Sequence, residues 1–392
     1  GHGRGPGSGI AGGGRRSTGS GLMHPHLVEA LRRQPAYRGL KAALPGPGES
    51  TGVSNFPGST CSLLVATLAR DLERRIWVVV AADPPEAEAV ESDLSALLPE
   101  GAAALYPQRE ALPFEAEEHH VEVSGQRVEA LEALLAGRVR VLVTTARALQ
   151  ERERIPDELA DLRLGLAVGQ VIRPGDLADR LETMGFERTG LVEQVGEFAA
   201  RGGIVDLYSF GAADPVRIEF WGDEITSIRR FDVLDQRSTG ELDRVDILPV
   251  DLRLAGDGGA SRRSLLDVLP SGAILVQLRA DDEGFDAGWR KLLELHEAEQ
   301  RRGHTPEPPE ALMLPPDVVR ERLRAFGRIV VREDAPLRLD AREPEAIDRD
   351  TQRLAAVLRA GAARGERTFI LCDNTGQLER LEELLGGADR LP

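Results

Sequence analysis

The feature that most constrains the fold is the alternation of short apolar runs with helix-like segments between Thr60 and Thr144. The runs Ile76–Val80 and Val139–Thr144 are rich in valine, which is typical of strands buried on both faces. Leucine and valine at helical spacing precede each run. Strands that alternate with helices favour a mainly parallel sheet. The sequence therefore predicts an α/β domain in this part of the chain.

The pattern changes after about Ile155. Val216–Phe220 alternates strictly between apolar and polar residues, which indicates a strand with one solvent-facing side. Gly202-Gly203 and Gly222-Asp223 are typical of tight turns between strands. This segment is predicted to be an antiparallel α+β module, and the strand Ile274–Leu278 then resumes the α/β pattern.

These changes predict five consecutive segments. They are a disordered Gly-rich extension (1–24), the first part of a degenerate nucleotide-binding-like domain (25–150), an inserted α+β module (151–252), a return segment of the first domain (253–335), and a linker with the start of a further small α/β domain (336–392). Thr305–Pro316 is predicted to be a proline-rich linker, and Thr368–Cys372 a strand between two helices. One strand with its helix is half a domain, so we expect the chain to stop inside a larger protein.

Composition excludes several classes of function. The 65 acidic and 49 basic residues give a net charge of −16, which argues against general nucleic-acid binding. Two cysteines, Cys61 and Cys372, are too few for a disulfide framework or a Cys-rich zinc site. The clustered histidines lack a third ligand at metal spacing, so no metal site is predicted. No apolar run approaches the ~18 residues of a membrane span, and we expect a soluble cytoplasmic protein without a membrane partner.

The segment from Gly52 to Thr60 stands where a nucleotide-binding loop would, between a polar stretch and a helix. Its glycines, Gly52 and Gly58, are separated by five residues instead of the four of a P-loop, and Ser59 occupies the position of the required lysine. Pro57 also removes one N–H donor. These features predict a degenerate, non-hydrolysing loop; weak anion binding at its backbone amides is the alternative.

No Ser/His/Asp or Cys/His arrangement is recognisable, so we predict no catalytic residue. The inserted module offers a different kind of chemistry. Arg188, Glu197, Phe198 and Arg201 lie on or beside its predicted strands, and arginine beside an exposed aromatic ring is typical of a protein–protein hot spot. The alternative is that Phe198 belongs to the core and the arginines are solvated.

Three segments carry a family resemblance. GEFAARGGIVDLY at 196–208, RIEFWGDEI at 217–225 and SLLDVLP at 264–270 closely resemble the bacterial transcription-repair coupling factors, in an N-terminal module that is similar to the excinuclease protein UvrB. In that family the middle domain docks the excinuclease protein UvrA. The positions carried over are Arg188 and Arg201, with Glu197 and Phe198 as neighbours. Two positions where UvrB has further arginines are Val195 and Ala199 here, which implies fewer charged hydrogen bonds across the interface.

The resemblance implies a non-catalytic N-terminal fragment that recruits the excinuclease protein UvrA to stalled transcription in transcription-coupled nucleotide excision repair. The family's ATP- and magnesium-dependent DNA translocase motor, and its RNA polymerase contacts, would lie outside these 392 residues, so no cofactor is expected in this chain. The alternative is a damage-recognition ATPase of the UvrB type. Against it, Leu278 and Arg279 stand where an acidic motor pair is expected, and Tyr106–Val123 is too short for the DNA-clamping hairpin of UvrB.

Overall fold

The computed structural model describes residues 25–115, 121–155, 163–252, 262–279, 283–347, 350–370 and 375–385. The chain divides into two compact units, the first ending at Asp340 and the second beginning at Ala341. Within the described ranges, no helix is both long enough and apolar enough to cross a membrane.

The described strands, in chain order, are β1 (Ser50–Ser54), β2 (Trp77–Ala81), β3 (Ala103–Tyr106), β4 (Val141–Thr145), β5 (Arg152–Arg154), β6 (Leu164–Ala167), β7 (Glu187–Arg188), β8 (Glu197–Arg201), β9 (Ile204–Leu207), β10 (Val216–Trp221), β11 (Glu224–Phe231), β12 (Ser238–Leu242), β13 (Arg244–Ile247), β14 (Arg262–Ser264), β15 (Ile274–Gln277), β16 (Gly327–Val331) and β17 (Leu337–Arg338). The described helices are α1 (Pro25–Arg33), α2 (Pro35–Ala42), α3 (Thr60–Asp71), α4 (Pro84–Leu97), α5 (Val121–Leu135), α6 (Ala146–Gln150), α7 (Pro174–Thr183), α8 (Glu283–Arg301), α9 (Pro309–Leu312), α10 (Pro316–Leu323), α11 (Thr351–Ala363) and α12 (Thr375–Leu384).

A seven-stranded sheet in the order β17-β1-β16-β15-β2-β4-β3 forms the framework of the first unit. Each of its neighbouring strand pairs is parallel. Every residue of β2, β4 and β15 is buried, because apolar clusters cover both faces of the sheet. The predicted α/β class with a mainly parallel sheet is confirmed.

A six-stranded sheet in the order β12-β11-β10-β9-β8-β7 forms a separate module between β4 and β15 in the chain. Its pairs are antiparallel, as the sequence predicts, except for the parallel pair β7–β8 at one edge. α7 packs against one face, where Leu177 and Leu181 are buried with Phe198 and Ile218. We call this the α7 face. Two short antiparallel pairs, β13–β6 and β14–β5, complete the described sheets of this unit.

Helix α5, which lies between β3 and β4 in the chain, contacts the six-stranded module. A Cβ atom on Gly125 would lie 2.2 Å from the ring of Phe210, so only glycine permits this close contact. Two residues further along α5, Arg127 is buried: its Nη1 lies 2.6 Å from Glu151 and its Nε 3.1 Å from Glu153. Burial alone would lower the pKa of Arg127, but the charge of Glu153 and further polar neighbours raise it above its ordinary value.

Two predicted segments differ from the structure. Thr305–Pro316 is wrong as a linker, since it contains α9 and since Met313 and Leu314, 0% and 2% exposed, belong to the core. The second unit contributes α11 and α12 to the described structure. Of the predicted strand Thr368–Cys372, the first three residues are not in a strand, and the last two lie outside the described residues.

Candidate functional site

The β8–β9 and β10–β11 turns lie at the same end of the six-stranded sheet, because β8, β9 and β10 run antiparallel to one another. Gly202 and Gly222 occupy these turns with φ values of 58° and 62°, in the left-handed region that favours glycine. Arg201 is the last residue of β8, and its side chain is 53% exposed. The turns therefore place Arg201 at the solvent-facing end of the sheet.

Alternation along β8 assigns each side chain to one face. Phe198 is fully buried on the α7 face. Ala199 lies on the opposite face, where it is buried with Val192 and Phe231. Arg201, two residues beyond Ala199, shares that side, which we call the Arg201 face.

A buried carboxylate organises the Arg201 face. Asp206 on β9 is fully buried and accepts a hydrogen bond of 2.9 Å from Nη2 of Arg201. It also accepts two hydrogen bonds from Arg217 on β10, of 2.7 Å from Nε and 2.9 Å from Nη2. The Arg217 guanidinium lies 4.8 Å from the centre of the Phe231 ring, and its hydrogen bonds to Asp206 raise the pKa of Arg217. The sheet register thus brings two arginines to one aspartate.

Arg188 lies apart from Arg201. It pairs in register with Phe198 across β7 and β8, and its guanidinium is 6.0 Å from the centre of the Phe198 ring. Its exposed side chain also lies 3.6 Å from Glu182 of α7. Arg188 is therefore on the α7 face, so the two arginines singled out from the sequence occupy opposite faces of one sheet.

Two of the predicted site residues, Phe198 and Glu197, make contacts within the fold. Phe198 is 0% exposed, which supports its interpretation as a core residue and corrects the expectation of an exposed ring. Oε2 of Glu197 accepts hydrogen bonds from the backbone N–H groups of Glu193 and Gln194, at 2.8 and 2.9 Å. Glu197 thereby fixes the loop that carries buried Val192 over the Arg201 face.

Sequence reasoning did not single out Trp221, which is 82% exposed at the end of β10. Its neighbour Phe220 is buried on the α7 face, so alternation places Trp221 on the Arg201 face. Ile204, opposite Arg201 in register, is 36% exposed beside it. The strict alternation of Val216–Phe220 was the signal that could have identified this exposed tryptophan.

The degenerate nucleotide loop is shorter than its sequence suggests. Gly52 lies within β1, paired with Val330, so Gly52 is not a loop glycine and that assignment is corrected. The loop runs from Asn55 to Ser59, and α3 begins at Thr60. The backbone N–H and the hydroxyl of Thr60 both donate to the carbonyl of Pro57. In a P-loop the hydroxyl at this position would hold magnesium.

The described residues contain no group of three or more His, Cys, Asp or Glu side chains that could hold a metal ion. The Arg201 face offers an arginine, a tryptophan and an apolar side chain at one end of the sheet. Such a surface is suited to binding another macromolecule through charge-assisted hydrogen bonds and ring contacts.

Comparison with known proteins gives a matching family model and several similar proteins. Residues 164–252 match the family described as "UvrB interaction domain". The chain is 30% identical over 249 residues to a transcription-repair-coupling factor of Bacillus subtilis (strain 168), a match that covers 63% of this chain and 20% of the relative. These matches confirm the family resemblance.

Two further relatives match a similar share of the chain. The transcription-repair-coupling factor of Myxococcus xanthus is 37% identical over 209 residues, which are 52% of this chain and 17% of that protein. The Escherichia coli (strain K12) protein of the same name is 28% identical over 202 residues, again 52% and 17%. The matched part of each relative is thus about a fifth of its length. The segment 164–252, which matches the UvrB interaction domain, contains both β8 and Trp221.

Proposed function

We propose that this chain is a non-catalytic docking module that recruits the excinuclease protein UvrA to stalled transcription in transcription-coupled nucleotide excision repair. The observation that carries the proposal is the Arg201 face. It holds a half-exposed arginine and an exposed tryptophan at one sheet end, inside the segment that matches the UvrB interaction domain. Arginine and tryptophan are enriched among the residues that dominate binding energy at interfaces.

Arg201 and Trp221 form the proposed docking surface. Arg201 supplies N–H donors for a carboxylate of the partner, and Trp221 supplies a ring that loses water on docking. Arg188 contributes separately from the α7 face, so its effect on binding should be independent of Arg201. Glu197 and Phe198 act through the fold, since the first fixes a loop and the second is buried.

Arg201→Ala should weaken binding to UvrA about 30-fold, because truncation of an interface arginine typically costs about 2 kcal/mol. Isothermal titration calorimetry on the full chain measures the affinity. Arg244→Ala is the matched control, since Arg244 is also an exposed arginine paired with an aspartate of the same module, but it lies on β13. It should change the affinity by about twofold or less. Equal losses for both variants would show that Arg201 is not a docking residue.

We also propose that the chain binds no nucleotide. Ser59 stands in the lysine position, and the Thr60 hydroxyl donates to the carbonyl of Pro57 within the same loop. Titration with ATP and magnesium should show no saturable binding up to millimolar concentration, with UvrB as the positive control. Micromolar binding would overturn this proposal and favour the damage-recognition ATPase.

A further inference from the structure

We propose that Asp206 is a positioning residue, whose buried carboxylate holds the Arg201 guanidinium in the orientation that docks. This inference rests on the proposed function. Asp206 sets the orientation of the docking arginine and not the identity of its partner. Its basis is the hydrogen-bond geometry of β8, β9 and β10.

Arg217 alone satisfies the charge of Asp206. A carboxylate that is 0% exposed needs a partner, and Arg217 provides one with Nε on Oδ1 and Nη2 on Oδ2, the strong two-bond arrangement. The Arg217 side chain is itself only 20% exposed and is packed on Phe231. The ion pair therefore belongs to the interior of the module.

Arg201 is a second cation on the same carboxylate. Its hydrogen bond goes from Nη2 to Oδ2, the oxygen that Arg217 Nη2 already contacts at 2.9 Å. Charge neutralisation does not require this additional bond. Its consequence is orientation, because one anchored N–H restricts a long, flexible side chain while the rest of the guanidinium stays on the exposed side.

This restriction should favour docking. A free arginine side chain loses rotamer freedom when a partner immobilises it, whereas a side chain that is already ordered loses less. Asp206 would thus raise the affinity for UvrA without touching the partner. Its own burial excludes direct contact.

The test compares Asp206→Asn with Arg217→Met. Both variants remove the ion pair between Asp206 and Arg217, but only Asp206→Asn also removes the charged anchor of Arg201. Asp206→Asn should weaken binding to UvrA about tenfold, and Arg217→Met by about twofold or less, measured on samples with equal folded fractions by circular dichroism. In Asp206→Asn with Arg201→Ala, binding should be no weaker than in Arg201→Ala alone.

A second measurement is independent of the partner. With arginine-selective isotope labelling, the order parameter of Arg201 Nε–Hε in the free chain should fall in Asp206→Asn and remain high in Arg217→Met. The inference is overturned if Asp206→Asn binds like the wild type, or if its effect adds fully to that of Arg201→Ala. Absence of binding by the wild-type chain would overturn the proposed function, and the inference with it.

Discussion

Replacement of Arg127 by Met should lower the free energy of unfolding by about 3–5 kcal/mol, because it removes the most deeply buried cation from the buried carboxylates of Glu151 and Glu153. The Arg127 side chain is 1% exposed, and those of Glu151 and Glu153 are 6% and 3% exposed. Nη2 of Arg127 also donates to the Tyr106 hydroxyl at 2.8 Å, and its guanidinium lies 4.2 Å from that ring centre. Urea unfolding followed by circular dichroism measures the loss.

Arg33→Met is the control, since Arg33 forms an exposed pair with Glu29 within α1. It should cost about 0.5 kcal/mol or less. Adding Glu151→Gln and Glu153→Gln to Arg127→Met should recover part of the lost stability, because neither buried carboxylate then remains without the Arg127 charge. A loss below about 1 kcal/mol for Arg127→Met would contradict the assignment of this cluster as a structural ion-pair centre.

The elements that sequence patterns predicted best are those whose burial is uniform or strictly alternating. The valine-rich runs became β2 and β4, because a strand covered on both faces needs an apolar residue at each position. The alternation at Val216–Phe220 became β10, with apolar residues buried and Arg217 and Glu219 less so. In both cases local pattern and tertiary environment agree.

The sequence was ambiguous where both faces of a strand are covered. In β8, buried Phe198 and Ala199 are consecutive, so alternation does not show which of them faces the main core.

The linker prediction for Thr305–Pro316 was wrong for another reason. Its prolines are typical of a linker, but Met313 and Leu314 are buried through contacts with distant residues such as Gln150, whose carbonyl accepts the N–H of Leu314.

Prediction of the candidate site from the sequence was limited most by strand register. Arg201, Asp206 and Arg217 lie on three strands, and their convergence follows from pairings such as Arg217 with Asp206. A single sequence does not specify these pairings, so the resemblance could indicate Arg201 but not the carboxylate that holds it. The opposite faces of Arg188 and Arg201 likewise became visible only from the sheet.

Phe198→Ala should lower the free energy of unfolding by about 3–5 kcal/mol, because it removes a large, fully buried ring from the α7 face. Phe198→Leu keeps most of the apolar volume and should cost about 1–2 kcal/mol. Since Phe198 faces away from Arg201, Phe198→Leu should change the affinity for UvrA by about threefold or less once folded fractions are equal. Urea unfolding and calorimetric titration provide the two measurements.

Trp221→Ala serves as the aromatic control. It should change stability little and weaken binding to UvrA strongly, the reverse of the pattern expected for Phe198→Leu. Its ring is 82% exposed, so its removal should alter stability by about 0.5 kcal/mol or less. On the proposed docking surface the same substitution should weaken binding about tenfold or more. If Phe198→Leu instead reduced the affinity as strongly as Trp221→Ala at equal folding, docking would depend on the α7 face. The half-exposed Arg188, which packs near the Phe198 ring, would then be the centre of the interface in place of Arg201.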